Sequence, residues 1–228
     1  MSRPSLVSVV ADDLLERIVA GEFAEGDAVP TEFELAERHG VSRMTVREAV
    51  KGLIAQNVVA VVRGRGTYVQ PMREWTALEP VLRATGGADA AVQLIELRRM
   101  FEAEAAALAA GRRDDEHLAA MEADLERMRA AAASGDVAAF VEADIAFHDV
   151  ILRASGNVFL PVLFESLRRF LRQTREQTSR NPVIQAHAIE RHAAVLEALR
   201  TGDPAASRAS MLEHMDQTEQ DLRQYVLS

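Results

Sequence analysis

The order of apolar and polar positions changes character near Pro71. Residues 5–20 place Val9, Val10, Leu14, Ile18 and Val19 on one side of a helix. Thr31, with Glu34 three residues on, has the form of a capping box for a short helix ending at His39-Gly40. A third helix opens at Val41–Val46, with Ser42 as its cap and Val46, Ala49, Val50 and Leu53 as its inward stripe. Val58–Val62 is an unbroken β-favouring run, Arg63-Gly64-Arg65-Gly66 a turn, and Thr67-Tyr68-Val69 a return strand. Further along, the period is helical throughout, over about 89–111, 114–133, 136–154, 157–179, 182–200 and 204–226. Asp114, Asp136, Asn157 and Asp203 stand where N-caps are needed, and Pro182 and Pro204 suit first-turn positions. The expected protein is mainly α: a winged helix-turn-helix over 1–71, a linker over 72–88 with Pro80, Gly86 and Gly87, and an all-helical antiparallel bundle over 89–228.

Composition narrows the function classes. The 228 residues contain no cysteine, which excludes disulfide scaffolds, thiolate metal sites and cysteine nucleophiles. Hydrophobic residues at 48% and charged residues at 27% are ordinary globular values, and 5% aromatics in an alanine-rich chain favour helix over sheet. Asp12 and Asp13 interrupt the only apolar stretch near the N-terminus, and no run approaches the roughly 18 apolar residues of a membrane span. The expectation is a soluble cytoplasmic protein with no membrane partner. A net charge of −9 argues against a general polyanion binder, but the charge is uneven. Between residues 38 and 71, Arg38, Arg43, Arg47, Lys51, Arg63 and Arg65 face Glu48 alone.

That basic island coincides with two short helices joined by a glycine-containing turn, the second presenting Arg43 and Arg47 at its start. This is the form of a helix-turn-helix, whose second helix meets base edges in the major groove with its first residues. Arginine suits the task because its fork bonds guanine O6 and N7 together. The glycines of the following turn permit positive φ, and its arginines stand where a hairpin tip meets phosphate or the minor groove. A chance cluster of solvated arginines would give the same charge, though not the same spacing.

In the second part the informative residues are polar ones in apolar stripes. One stripe runs Phe140, Val141, Asp144, Ile145, His148, Ile151, Leu152; another Ile189, His192, Ala193, Leu196, Leu199; a third Met211, His214, Met215, Thr218, Leu222. A single inward histidine is ordinarily a hydrogen-bonded core residue, and an Asp–His pair four apart can be a local salt bridge. Three inward histidines with an aspartate one turn from one of them point instead to a shared cation, since burying them unpaired is costly. Imidazole and carboxylate suit zinc, nickel, iron or manganese. His39, His117 and His187 fall on polar faces and read as solvated, and Met100 and Phe101 as core.

Pro30-Thr31-Glu32, Glu34-Leu35-Ala36, Gly40-Val41-Ser42-Arg43, Val46-Arg47-Glu48-Ala49 and Arg63-Gly64-Arg65-Gly66-Thr67 resemble the N-terminal signature of the GntR family of bacterial transcription regulators over residues 8–70. The resemblance implies DNA contacts from Arg43, Thr45 and Arg47 of the recognition helix and from Arg63, Gly64 and Arg65 of the wing. Phe33 stands where the family often has a basic or polar residue, and Met44-Thr45 where it often has Thr-Pro. Glu96, Arg98, Glu102, Leu108-Ala109-Ala110, Ala143-Asp144, Phe147-His148, Gly156-Asn157, Glu190, His192, Gly202-Asp203 and His214 resemble the FadR-like C-terminal ligand-binding domain, FCD. Its metal-binding members hold a divalent cation on the residues matching Asp144, His148, His192 and His214, and the arginine matching Arg98 pairs with an effector carboxylate. A salt bridge from Arg98 to Glu102 is the alternative for that arginine.

The function expected is therefore a homodimeric DNA-binding regulator, a repressor, whose helical domain binds a divalent metal, zinc first among the candidates. Its effector would be a small carboxylate: a sugar acid, a hydroxy acid or a dicarboxylate. Two alternatives stand beside it. One is a metal-dependent enzyme acting on a small organic acid, although four protein ligands leave little room and no general base adjoins the cluster. The other is a regulator whose metal is purely structural, or whose bundle holds an acyl ligand without metal.

Overall fold

The computed structural model describes residues 4–227 and divides between Gly86 and Gly87 into two compact units. The first contains α1 (Leu6–Val19), α2 (Glu32–His39), α3 (Arg43–Ala55), β1 (Val59–Val62), β2 (Gly66–Val69), a 3-10 turn (Met72–Glu74) and α4 (Leu78–Thr85). Both α2 and α3 start where their caps dictate. Thr31 Oγ1 accepts from the Glu34 amide at 3.3 Å while the Glu34 carboxylate accepts from the Thr31 amide at 2.7 Å, and Ser42 Oγ accepts from the Thr45 amide at 3.1 Å. Gly40 ends α2 at φ +62°, a conformation that Cβ-bearing residues rarely adopt. Val10, Leu14, Ile18, Leu35, Val46, Ala49 and Leu53 meet Val58, Val59 and Val69 in one core, so the hairpin is fixed against the helices. β1 and β2 pair antiparallel with Val59 opposite Val69 and Val62 opposite Gly66.

The segment 72–88, expected as a linker, is structured. Pro80 lies in the first turn of α4, where its missing amide costs no hydrogen bond, so it does not break the helix. Arg83 anchors α4 to α1 through Asp12 at 2.9 Å.

The second unit is an all-helical bundle of α5 (Gly87–Ala110), α6 (Asp115–Ser134), α7 (Val137–Ala154), α8 (Phe159–Thr178), α9 (Pro182–Thr201) and α10 (Pro204–Tyr225). Asp114, Asp136 and Asp203 cap as expected; α8 starts two residues after Asn157, whose side chain accepts from the Phe159 amide. The expectation that Met100 and Phe101 are core is corrected. Met100 is 62% exposed and Phe101 half-buried, because α5 turns Leu94, Ile95, Arg98, Glu102, Ala105 and Ala106 inward and Met100 lies about 200° around the helix from Arg98. Small alanines on that stripe let α10 approach α5 closely, while α7 lies centrally, packed by α5, α6 and α8.

Removing the α2 cap tests the local logic. Thr31→Ala is expected to destabilise the N-terminal unit by about 1 kcal/mol, read as a lower urea midpoint of that unit with the C-terminal unit unchanged.

Candidate nucleic-acid interface and metal centre

Within the first unit, Arg43 and Arg47 are exposed near the start of α3, and Thr45 between them is half-buried with its hydroxyl 2.9 Å from that of Ser42. Arg47 is not free. Its Nε and Nη2 donate to Glu32 of α2 at 3.0 and 2.8 Å, and Arg43 lies 3.9 Å from the same carboxylate. Hydrogen bonding from Arg47 holds the Glu32 carboxyl below its ordinary value. The bidentate contact fixes the plane of the guanidinium, leaving its remaining donors to face outward. Phe33 (55% exposed) and Met44 (62% exposed) flank these arginines as apolar surface. At the hairpin tip Arg63, Gly64 and Arg65 are exposed; Gly64 takes φ +76°, and the Arg65 amide donates to Val62 O at 2.9 Å. Three helices, the third basic at its start, and a two-stranded hairpin are therefore assembled on one core.

In the second unit α7, α9 and α10 bring His148, His192 and His214 together, all buried, with potential ligand atoms within 4.8 Å of one another. The His192–His214 ring centroids are 4.5 Å apart. His192 Nδ1–H donates to the Ala188 carbonyl at 2.6 Å, which fixes the tautomer and leaves Nε2 with a lone pair. That Nε2 and His214 Nε2 are buried with no hydrogen-bond partner. Asp144 lies beside the trio: its Oδ1 is 3.3 Å from His192 Nε2 but off the line of a hydrogen bond, and its Oδ2 accepts from Arg175. Convergent, unpartnered imidazole nitrogens beside a carboxylate are a donor set that fits a divalent transition metal.

Around this centre lie two groups whose part the sequence did not disclose. Arg175 of α8 is buried against Asp144, and Glu102 of α5 is buried between Arg98 and His148. Arg98 Nε donates to Glu102 Oε1 at 2.7 Å, so the salt bridge offered as the alternative exists; Arg98 Nη2 also reaches within 3.4 Å of His148 Nε2. Burial pushes the Glu102 carboxyl up, but the Arg98 guanidinium and the contact with His148 outweigh it and leave it well below the carboxylate range. Burial likewise opposes ionisation of Asp144, and Arg175 overcomes it. His148 and His214 are pushed down, chiefly by burial, and are neutral at pH 7. The reading of His187 as solvated is corrected: it is half-buried and 2.9 Å from Asp221, a carboxylate 3% exposed. His39 is likewise held by Asp13 at 3.2 Å, and only His117, in the capping box of Asp114, keeps to the N-terminal turn expected of it.

The gntR family of bacterial regulatory proteins matches residues 6–69, and the FCD domain matches residues 93–217. The regulator LutR of Bacillus subtilis is 31% identical over 90% of this chain and 95% of its own length. The chain belongs to the GntR family. The galactonate operon transcriptional repressor of Escherichia coli is 30% identical over 86% of this chain and 88% of its own. Among solved structures, a GntR protein of Streptococcus agalactiae aligns with TM-score 0.52 at 28% identity, covering 94% of this chain and 99% of that one. The Listeria monocytogenes protein Lar aligns with TM-score 0.67 over 98% of this chain and 100% of its own, at an identity of 21% that speaks for the fold alone. This GntR protein is accordingly a transcriptional regulator with an N-terminal winged helix-turn-helix and a helical FCD domain, and its relatives are regulators rather than enzymes. Among the described residues no helix is long and apolar enough to cross a membrane.

The depressed histidines have a consequence for the protein freed of metal by a chelator. Below about pH 6.5 imidazoles of the unfolded chain take up protons while His148 and His214 stay neutral in the fold. The unfolded state then binds more protons, so stability falls as pH falls. Glu102 and Asp144, held low in the fold, extend the loss below about pH 4. The melting temperature of chelator-treated protein is expected to drop steadily from pH 7.5 to 5.5, and a His148→Asn/His214→Asn double variant should flatten that segment. A flat wild-type profile would contradict neutral burial.

Proposed function

We propose that the protein is a homodimeric transcriptional repressor acting on operator DNA in the cytoplasm, with residues up to 86 as the DNA-reading unit and the helices from 87 onward as a metal-assisted sensor of a small carboxylate. The observation that carries the sensor reading is the buried trio of histidines, two of which, His192 and His214, keep an inward Nε2 without a partner. Asp144, His148, His192 and His214 would hold the cation, and zinc is the proposed ion, with nickel, manganese and iron compatible with the same donors. When bound, it supplies positive charge and a coordination site for an acid oxygen. A cavity lined by Arg98, Asp144, Arg175 and His214 opens beside it. Arg98 orients the acid there with its guanidinium fork, while Glu102 fixes the arginine from behind. Relatives support this class of effector by their names: one represses a galactonate operon, and another is a putative regulator of an L-lactate dehydrogenase operon in Escherichia coli.

At the DNA end, Arg43, Thr45 and Arg47 would read bases from the major groove, and Arg63, Gly64 and Arg65 would hold the backbone or minor groove. Two-fold operators match helix-turn-helix dimers, which supports a dimer. Effector binding alters operator affinity to the extent that it favours one arrangement of the dimer over the other.

Two measurements test the two halves. In gel shifts on the DNA flanking its own gene, Arg47→Ala is expected to cost about 1–3 kcal/mol of specific affinity, whereas Arg65→Ala should weaken binding to all sequences and reduce the salt slope by about 1. Absence of a specific wild-type complex at moderate salt would refute the regulator's mode of DNA reading. Elemental analysis of protein purified without chelator should find stoichiometric metal, with His192→Ala and His214→Ala depleted of it; metal-free wild type would point to an acyl or purely organic ligand instead.

A further inference from the structure

The cavity beside the histidine centre has a second polar end that the metal and Arg98 do not use. It is made by His187 of α9 with Gln217, Thr218 and Asp221 of α10. His187 lies five residues before His192, and Asp221 seven after His214, so with about 1.5 Å of rise per residue both are displaced roughly 7–10 Å along their helices from the centre. Asp221 is almost fully buried, and its carboxylate takes His187 Nδ1 at 2.9 Å and Gln217 Nε2 at 3.1 Å. A carboxylate only accepts, so His187 Nδ1 carries a proton in this pair and Asp221 keeps lone pairs to offer. The Thr218 hydroxyl spends its proton on the His214 carbonyl at 2.9 Å and likewise offers lone pairs. This end therefore presents acceptors around a buried negative charge. Hydroxyl groups complement it and a second carboxylate does not.

Arg191 also lines the cavity and would be the natural anchor for a second carboxylate, but its Nη1 is engaged by Glu213 at 3.0 Å. The free volume is small, about 40 Å³, so the occupant is a short chain that shifts lining side chains as it enters.

Building on the effector reading above, we propose that His187, Gln217, Thr218 and Asp221 form the subsite that selects the effector, and that the effector is a hydroxylated monocarboxylate of three or four carbons, with a hydroxyl remote from its acid group, rather than a dicarboxylate. Hydroxyl recognition at Asp221 orients the acid toward Arg98 and the cation, and Asp221 repels an acid presented in reverse.

Isothermal titration of the full-length, zinc-loaded protein with three four-carbon acids tests this: threonate, butyrate and succinate. Threonate is expected to bind at least about tenfold tighter than butyrate, the worth of one or two good hydrogen bonds, and tighter than succinate. Asp221→Asn should cost threonate about tenfold and bring succinate up to match it. His187→Gln, which leaves Asp221 buried with an amide donor, should also lower the threonate preference, and it keeps the test decisive if Asp221→Asn fails to fold. Arg98→Gln should weaken all three acids alike. If the acids bind equally, or succinate binds best and Asp221→Asn leaves the order unchanged, the subsite assignment is overturned while the carboxylate-sensor reading stands. If none binds the wild type, both fall.

Discussion

Charge buried in the middle of a helical bundle is the constraint on which the C-terminal unit is built. Two carboxylates, Asp144 and Glu102, and two guanidiniums, Arg98 and Arg175, sit out of water around three imidazoles. Any one of these charges alone would cost several kcal/mol to bury. Arranged as Asp144 with Arg175 and Glu102 with Arg98, they cancel, and burial keeps His148 and His214 neutral. The groups come from α5, α7, α8, α9 and α10, so each pair also ties one helix to another or to the centre. Such a cluster holds the helices in one register because a slipped register would strand a charge.

Much of this was legible in the sequence for one reason: helices cannot hide a polar residue in an apolar stripe. Asp144, His148, His192 and His214 stood out against Phe140, Ile145, Leu196 and Met211, and they are found inward and together. Arg175 was open to the same argument, lying in register with Leu160, Phe164, Leu167 and Leu171, all buried. Glu102 was visible only as a local partner of Arg98, because its contact with His148 joins residues of different helices. The His187–Asp221 pair was not legible at all. It depends on how α9 and α10 are aligned, which no single helical period encodes, and each residue taken alone sits on a polar face. Within the linker segment 72–88, the helix over Leu78–Thr85 was not read from the sequence, and it accommodates Pro80 because a first-turn proline has no amide to lose.

At the DNA-reading end the sequence window overstated the charge. The stretch 38–71 counts six basic residues against Glu48, but folding brings Glu32 from outside that window onto Arg47 and toward Arg43. The local field is weaker than the count implies, and the guanidinium is better oriented. Non-specific attraction to phosphate depends on the number of free cations, while base reading depends on where a fork points. Glu32 therefore trades the first for the second, and the exposed Phe33 and Met44 beside it add apolar surface of the kind that meets thymine methyl groups.

The neutrality of the buried network also bears on the proposed pairing of a metal with an acid. Two carboxylates and two guanidiniums sum to zero, so a divalent cation held by Asp144 and neutral imidazole ligands would leave the centre with two positive charges in a poorly solvated space. Such a site favours anions from solution, and a monocarboxylate relieves half of that excess without adding charge elsewhere. Asp221, some turns away along the same helices, sets a negative group at the opposite end of the cavity. An acid entering there meets attraction at one end and repulsion at the other. Orientation then follows from the field before any hydrogen bond is formed, and the hydroxyl acceptors act on a ligand already turned the right way.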